Sequence, residues 1–265
     1  MKLAVVVAPP TAGFEAVVRR PLREALSLLQ EYGYDGVELS LLDPKVIDRG
    51  ELRSMLSEYG LELPALSTGL NYLHFGLSLT SPDPAVRKRT VDRLLEFADL
   101  AYEFGAAVVI GLIRGRSGGL SRRSALKLLI EELREVCKRA SHVKFLLEPL
   151  NRYETDLINS VEEALEVLEM VAVENLYLLV DTFHMNIEEP RIEESIKRAG
   201  GRIGHVHVAD SNRLAPGMGH LDFKSVVSAL REVGYDGYLS AEVMVKPDLK
   251  TVLEATKRTL APLLA

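Results

Sequence analysis

Short apolar runs with little polar alternation, each followed by a segment of helical spacing, recur from one end of this 265-residue chain to the other. Strands that are apolar on both faces need cover on both faces, so the pattern requires a parallel sheet wrapped by helices. The runs predict strands over residues 3–8, 36–41, 61–66, 106–113, 145 onward, 176–180, 203–208 and 238–243. Between them the spacing predicts helices over 21–32, 51–59, 86–104, 121–140, 161–171, 190–199, 223–233 and 249–260. The unit Gly33-Tyr34-Asp35-Gly36 returns as Gly234-Tyr235-Asp236-Gly237, a helix stop and turn before a strand in both places. About eight such units in roughly 250 residues is the arithmetic of a single-domain α/β protein, a (β/α)8 TIM barrel over 1–265. A doubly wound open sheet would carry a glycine-rich phosphate turn after the first strand, and APPTAGFE is not one. The longer segment 67–84 is expected to be a lid or substrate loop.

A hydrophobic content of 47% supports a large core, and the net charge of −6 comes with no Lys/Arg run that would grip nucleic acid or a membrane surface. Small molecules are the expected partners, with self-association of the barrel left open. Cys137 is the only cysteine and has no internal partner for a disulfide, consistent with a reducing compartment. MKLAVVVAPP is too short and too soon interrupted by proline for a signal or membrane segment, so a cytoplasmic location is expected.

In a barrel of this kind the carboxyl ends of the strands form one rim, where polar side chains become neighbours. The ends of the last four predicted strands carry Glu148, Asp181, His207 and Glu242. A single strand-end carboxylate can simply cap the next helix. Three anions converging on one pocket require a cation, and oxygen ligands with one imidazole suit Mn²⁺, or alternatively Mg²⁺ or Co²⁺, better than structural Zn²⁺. Glu154 and Arg213 each follow one of these residues by six positions and His184 follows Asp181 by three, which sets them on loops above the ion within reach of a polyhydroxylated ligand. His205 reads as a hydrogen-bonded interior residue, and Glu38 as either a partner that orients a ligand or a strand-end charge.

The stretches LEPLNRYET, DTFHMNIEE, HVHVADSNRLAPGMGHLDF and SAEV, in this order, resemble the sugar isomerase and epimerase superfamily of xylose-isomerase-like barrels, nearest to the D-tagatose 3-epimerase-like ketose epimerases. The resemblance implies that Glu148, Asp181, His207 and Glu242 hold one divalent ion, that Glu148 and Glu242 double as an acid/base pair, and that Glu154, His184 and Arg213 hold substrate oxygens. The stretches STGLNYLHFGLSLTSPD and VVIGLIRGR look closest to the 5-keto-L-gluconate epimerases of inositol breakdown. A keto-uronate substrate would give Arg114 and Arg116 a role as guanidinium forks for its carboxylate. The expected activity is therefore C3 epimerisation of a ketose or keto-uronate. The alternatives are an aldose–ketose isomerase of the same superfamily and, further off, a non-catalytic sugar-binding barrel or an endonuclease IV-like nuclease. The last would need a histidine-rich multi-zinc centre and a basic DNA face, against six histidines and a charge of −6 here.

Overall fold

The computed structural model describes residues 1–264, and its strands in chain order are β1 (Lys2–Ala8), β2 (Val18–Arg19), β3 (Gly36–Ser40), β4 (Ala65–Ser67), β5 (Ala107–Ile110), β6 (Phe145–Leu147), β7 (Leu176–Asp181), β8 (Ile203–Val208) and β9 (Tyr238–Ala241). From β3 to β9 each strand pairs in parallel with its sequence neighbours, β3 joins β1, and β9 pairs back onto β1 from Lys2–Tyr238 to Val5–Ala241. Eight strands thus close the TIM barrel, with the two-residue β2 attached to the end of β1. The helices are α1 (Leu22–Glu31), α2 (Arg49–Tyr59), α3 (Gly69–Phe75), α4 (Pro84–Phe104), α5 (Arg122–Arg139), α6 (Val161–Val171), α7 (Thr182–Glu188), α8 (Ile192–Ala199), α9 (Phe223–Glu232) and α10 (Leu249–Leu264).

Local chemistry sets these boundaries. Helix α4 starts with Pro84 at its first position and the Asp83 carboxylate accepting from Ala85 N at 2.8 Å, and it stops at Gly105 in the left-handed conformation (φ 65°). Ser160 caps α6 by accepting from Glu163 N at 3.2 Å, while Glu163 reaches back to Asn159 N at 2.7 Å. Several elements differ from the sequence expectation, among them the expected strand 61–66, observed as Ala65–Ser67, and the unexpected strand Val18–Arg19. Segment 67–84 contains α3, the loop after β7 contains α7, and the expected strand 106–113 ends at Ile110 and turns into a 3₁₀ helix, Leu112–Arg114. Helices α3 and α7 are seven residues long, too short for a full amphipathic period count to reveal them.

Side chains alternate between the helices and the barrel interior. Phe145 and Leu147 join the large outer core under the helices, whereas Leu146 packs inside with Ala65, Ala107, Val109 and Leu179. Two residues on from inward Leu146 and Leu179 come Glu148 and Asp181, and the same step leads from His205 to His207 and from Ser240 to Glu242. The alternation thus delivers all four rim residues to one axis. It slips once, at a bulge in which Leu178 pairs with Ile203 and Leu179 with His205, leaving Gly204 as the extra residue. A Cβ at Gly204 would lie 2.6 Å from Leu146 Cδ2 and 2.9 Å from Tyr177 Cβ. Gly204→Ala should therefore overpack the interior and cost about 1–3 kcal/mol, read as a fall in the urea unfolding midpoint; an unchanged midpoint would contradict the close approach.

Candidate active site

Glu148, Asp181, His207 and Glu242 meet at the strand-end rim, all buried, with one ligand-type atom from each lying within 4.8 Å of the others. His207 Nδ1 is 3.6 Å from Glu148 Oε1 and 3.8 Å from Glu242 Oε2. Buried Glu148 Oε1 and His207 Nδ1 have no hydrogen-bond partner, although buried polar atoms are nearly always paired. Oxygen donors from three carboxylates with one imidazole nitrogen fit a hard or borderline divalent ion.

Below this rim, inside the barrel, lies Glu38. Its carboxylate accepts from His207 Nε2 at 3.0 Å, from His205 Nε2 at 2.9 Å and from Ser67 Oγ. Burial works to raise the Glu38 pKa, but the two histidines hold it well below the usual carboxylate range. Glu38 fixes the His207 ring with Nδ1 turned toward the rim, the arrangement by which a carboxylate orients a ligating histidine. Sequence reasoning left Glu38 between two roles; its inward register, shared with Ser40, was the available signal. His205 is the hydrogen-bonded interior residue expected.

Glu154, His184 and Arg213 join the set. His184 Nδ1 accepts from Asn151 N at 3.3 Å and lies 2.8 Å from Asn151 Nδ2, while Nε2 lies 3.3 Å from Arg213 Nη1, 3.5 Å from Asp181 Oδ2 and 3.8 Å from Glu148 Oε1. Burial lowers the pKa of His184, which favours the neutral ring. Asn151 also donates to Glu154 Oε1 at 3.0 Å. Arg213 donates to Asp181 Oδ2 at 3.2 Å and to Glu242 Oε2, with its guanidinium 4.6 Å from the centre of the Phe183 ring. Its backbone is in the left-handed region (φ 61°) and is tied on both sides, with Arg213 N donating to Asp210 O at 2.9 Å and Met244 N donating to Arg213 O at 2.8 Å. Phe14, Leu70, Leu73 and Leu112 form an apolar wall of the same pocket. Phe14 and Asn151 carried no sequence signal for this site beyond the polar cluster in which Asn151 sits.

Arg114 and Arg116, the expected forks for a substrate carboxylate, are not among the residues that line this pocket. Arg114 is wholly buried, and its guanidinium donates to backbone carbonyls of Gly111, Glu148, Leu157 and Ile158. Arg116 lies outside and donates to Glu154 O at 2.9 Å. A cavity of about 710 Å³ opens at the other end of the barrel among strand starts, beside His142, and touches none of the rim residues.

Residues 26–261 match the family described as xylose isomerase-like TIM barrel, and the chain belongs to that family. The L-ribulose 3-epimerase of Methylomonas sp. (strain DH-1) is 33% identical over 240 residues, covering 87% of this chain and 82% of that protein. The ketose 3-epimerase of Arthrobacter globiformis is 33% identical over 247 residues, with 88% and 82% covered. A solved structure of L-ribulose 3-epimerase superposes with a TM-score of 0.85 at 27% identity, covering 99% of this chain and 94% of that one. Ketose 3-epimerases are isomerases, and these relatives together with the converging rim residues support a sugar epimerase. Among the described residues no helix is long and apolar enough to cross a membrane.

Burial, reinforced by Glu148 and Asp181 and opposed by Arg213 and His207, pushes the Glu242 carboxyl from its ordinary 4.5 to about 8. Between those values the folded chain holds a proton that the unfolded chain has released, so this group's contribution to stability falls as pH rises through the window. In chelator-treated protein, Glu242→Gln should remove that slope, so that the Tm of the variant gains on the wild type from pH 5 to pH 8. A Tm difference that does not change with pH would mean that Glu242 is not burdened in this way.

Proposed function

We propose that this chain is a divalent-metal-dependent sugar epimerase that inverts C3 of a ketose, next to the C2 ketone. The reading is carried by the convergence of Glu148, Asp181, His207 and Glu242 around two buried polar atoms, Glu148 Oε1 and His207 Nδ1, that have no hydrogen-bond partner. These residues would hold one ion, Mn²⁺ in preference to Mg²⁺ or Co²⁺. When bound, the ion supplies Lewis acidity that makes the proton beside the ketone easier to remove.

The rest of the mechanism belongs to side chains. Strands β7 and β8 separate Glu148, at the end of β6, from Glu242, beyond β9. A ketose seated between them meets a carboxylate on each face of C3. One carboxylate removes the proton and the other returns a proton from the opposite side, which is what inversion requires. His184 and the Arg213 guanidinium hydrogen-bond substrate oxygens, and Glu154 accepts from a hydroxyl. Apolar residues at the far wall, Phe14, Leu70 and Leu73, keep water from the reacting carbon. With Arg114 and Arg116 turned elsewhere, a neutral ketose is favoured over a keto-uronate such as 5-keto-L-gluconate. The whole barrel, 1–265, would act as one catalytic domain.

NMR in D₂O with Mn²⁺, over a panel of neutral ketoses and keto-uronates, tests the reaction. Deuterium should appear at C3 together with the epimer, and Glu148→Gln or Glu242→Gln should lower the rate by about 10²–10⁴-fold. Deuterium at C1 or C2 with an aldose product would replace the epimerase reading with an isomerase. Glu38→Gln should weaken Mn²⁺ binding by about 10–100-fold in titration calorimetry, because the ring of His207 would lose its orienting anion. Wild-type affinity in that variant would remove Glu38 from the site.

A further inference from the structure

Arg114 is the largest side chain with essentially no solvent exposure, yet among the described residues no carboxylate hydrogen-bonds or ion-pairs with it. A guanidinium withdrawn from water must recover its lost hydration from other acceptors. Here backbone carbonyls take that place. Nε donates to Leu157 O at 3.3 Å, one terminal nitrogen to Gly111 O at 3.3 Å and to Glu148 O, and the other to Leu157 O at 3.1 Å and Ile158 O at 3.0 Å. Apart from that of Gly111, on Arg114's own turn, these carbonyls lie at both ends of segment 148–158, which carries Glu148, Asn151 and Glu154. Ile158 has a left-handed backbone (φ 57°), a conformation that needs outside support in a β-branched residue.

The same two segments are laced along their length. Arg116 Nε donates to Glu154 O at 2.9 Å, Thr155 Oγ1 to Gly115 O at 3.2 Å, and Ser117 N to Asp156 Oδ1 at 2.8 Å. A Cβ at Gly111 would strike the Glu148 carboxylate itself, so the side chain rests directly on the 111–117 turn. We infer that the turn after β5 is a template for the active-site carboxylates, in which Arg114 is the positioning residue for Glu148 and Arg116 that for Glu154. The inference rests on the metal and substrate roles proposed above.

A guanidinium suits this task because its planar fork reaches carbonyls on two sides at once, whereas a lysine ammonium is a single point. Burial lowers the Arg114 pKa to about 10, which still leaves it cationic at neutral pH. Its charge therefore also lies beside Glu148, but a Lys would retain that charge and lose the fork.

The test compares Arg114→Met, Arg114→Lys and Arg116→Ala with the wild type in Mn²⁺ calorimetry and in steady-state epimerisation at saturating Mn²⁺. Arg114→Met should weaken Mn²⁺ binding at least tenfold and lower kcat at least tenfold with KM within threefold. Arg114→Lys should resemble Arg114→Met. Arg116→Ala should raise KM threefold or more with Mn²⁺ affinity within twofold, since Glu154 touches substrate and not the ion. Wild-type Mn²⁺ affinity in folded Arg114→Met, or full recovery by Lys, would overturn the positioning role. If the Arg114 variants do not fold, exposed Arg116 decides, and an unchanged KM there overturns the template. The calorimetry needs no turnover: a wild type that binds Mn²⁺ but epimerises no sugar would defeat the proposed function while Arg114→Met still decides this inference. A wild type that binds no divalent ion would overturn both.

Discussion

Glu148, Asp181 and Glu242 are buried close enough to repel one another, and much of the chain's polar architecture offsets that repulsion. An uncompensated buried carboxylate costs on the order of several kcal/mol, so three together are tolerable only with positive charge beside them. Arg213 bridges Asp181 and Glu242, and His207 stands between Glu148 and Glu242. Burial alone would lower the His207 pKa, but Glu38, Glu242 and Glu148 hold it well above its ordinary value. Asp181 is likewise held low against its burial by Arg213, His184 and His207. The site is an alternation of charges, and the four rim residues form a group that could hold a metal ion.

The two kinds of arginine divide the work. Arg213 points its guanidinium at carboxylates and lies against Phe183, in contact with the pocket. Arg114 points at carbonyls and never meets the pocket. Chain position did not distinguish them, because both follow a strand end and both look like candidates for an anion. What separates them is burial among backbone acceptors, a property of the folded loop.

The same contrast explains how much was legible beforehand. Barrel topology, the rim residues and the places of Glu154, His184 and Arg213 all follow from periodicity and strand ends, which are local patterns. The helix 161–171 was readable to the residue because Ser160 and Glu163 mark its start. Helices α3 and α7 were missed because two turns of helix carry too few apolar positions to show a period, and β5 was overextended because Leu112 and Ile113 continue an apolar run into a 3₁₀ turn. Glu38 depends on a contact with His207 across 169 positions, and no local pattern reports such a distance.

The inward register of the strands has a consequence for how such a barrel can change. Strand residues come in pairs, one for the helices and one for the axis, so a strand can be lengthened or shortened by two without altering which side chains meet. A single residue inserted within β7 would turn Asp181 out among the helices and bring Val180 to the axis unless a bulge absorbed it, as one does at Gly204. The rim set is thereby tied to parity or to a bulge, while the loops beyond the rim are free to vary in length. New substrates can be reached by rebuilding the edge of the cup without disturbing the counting rule that shapes its floor.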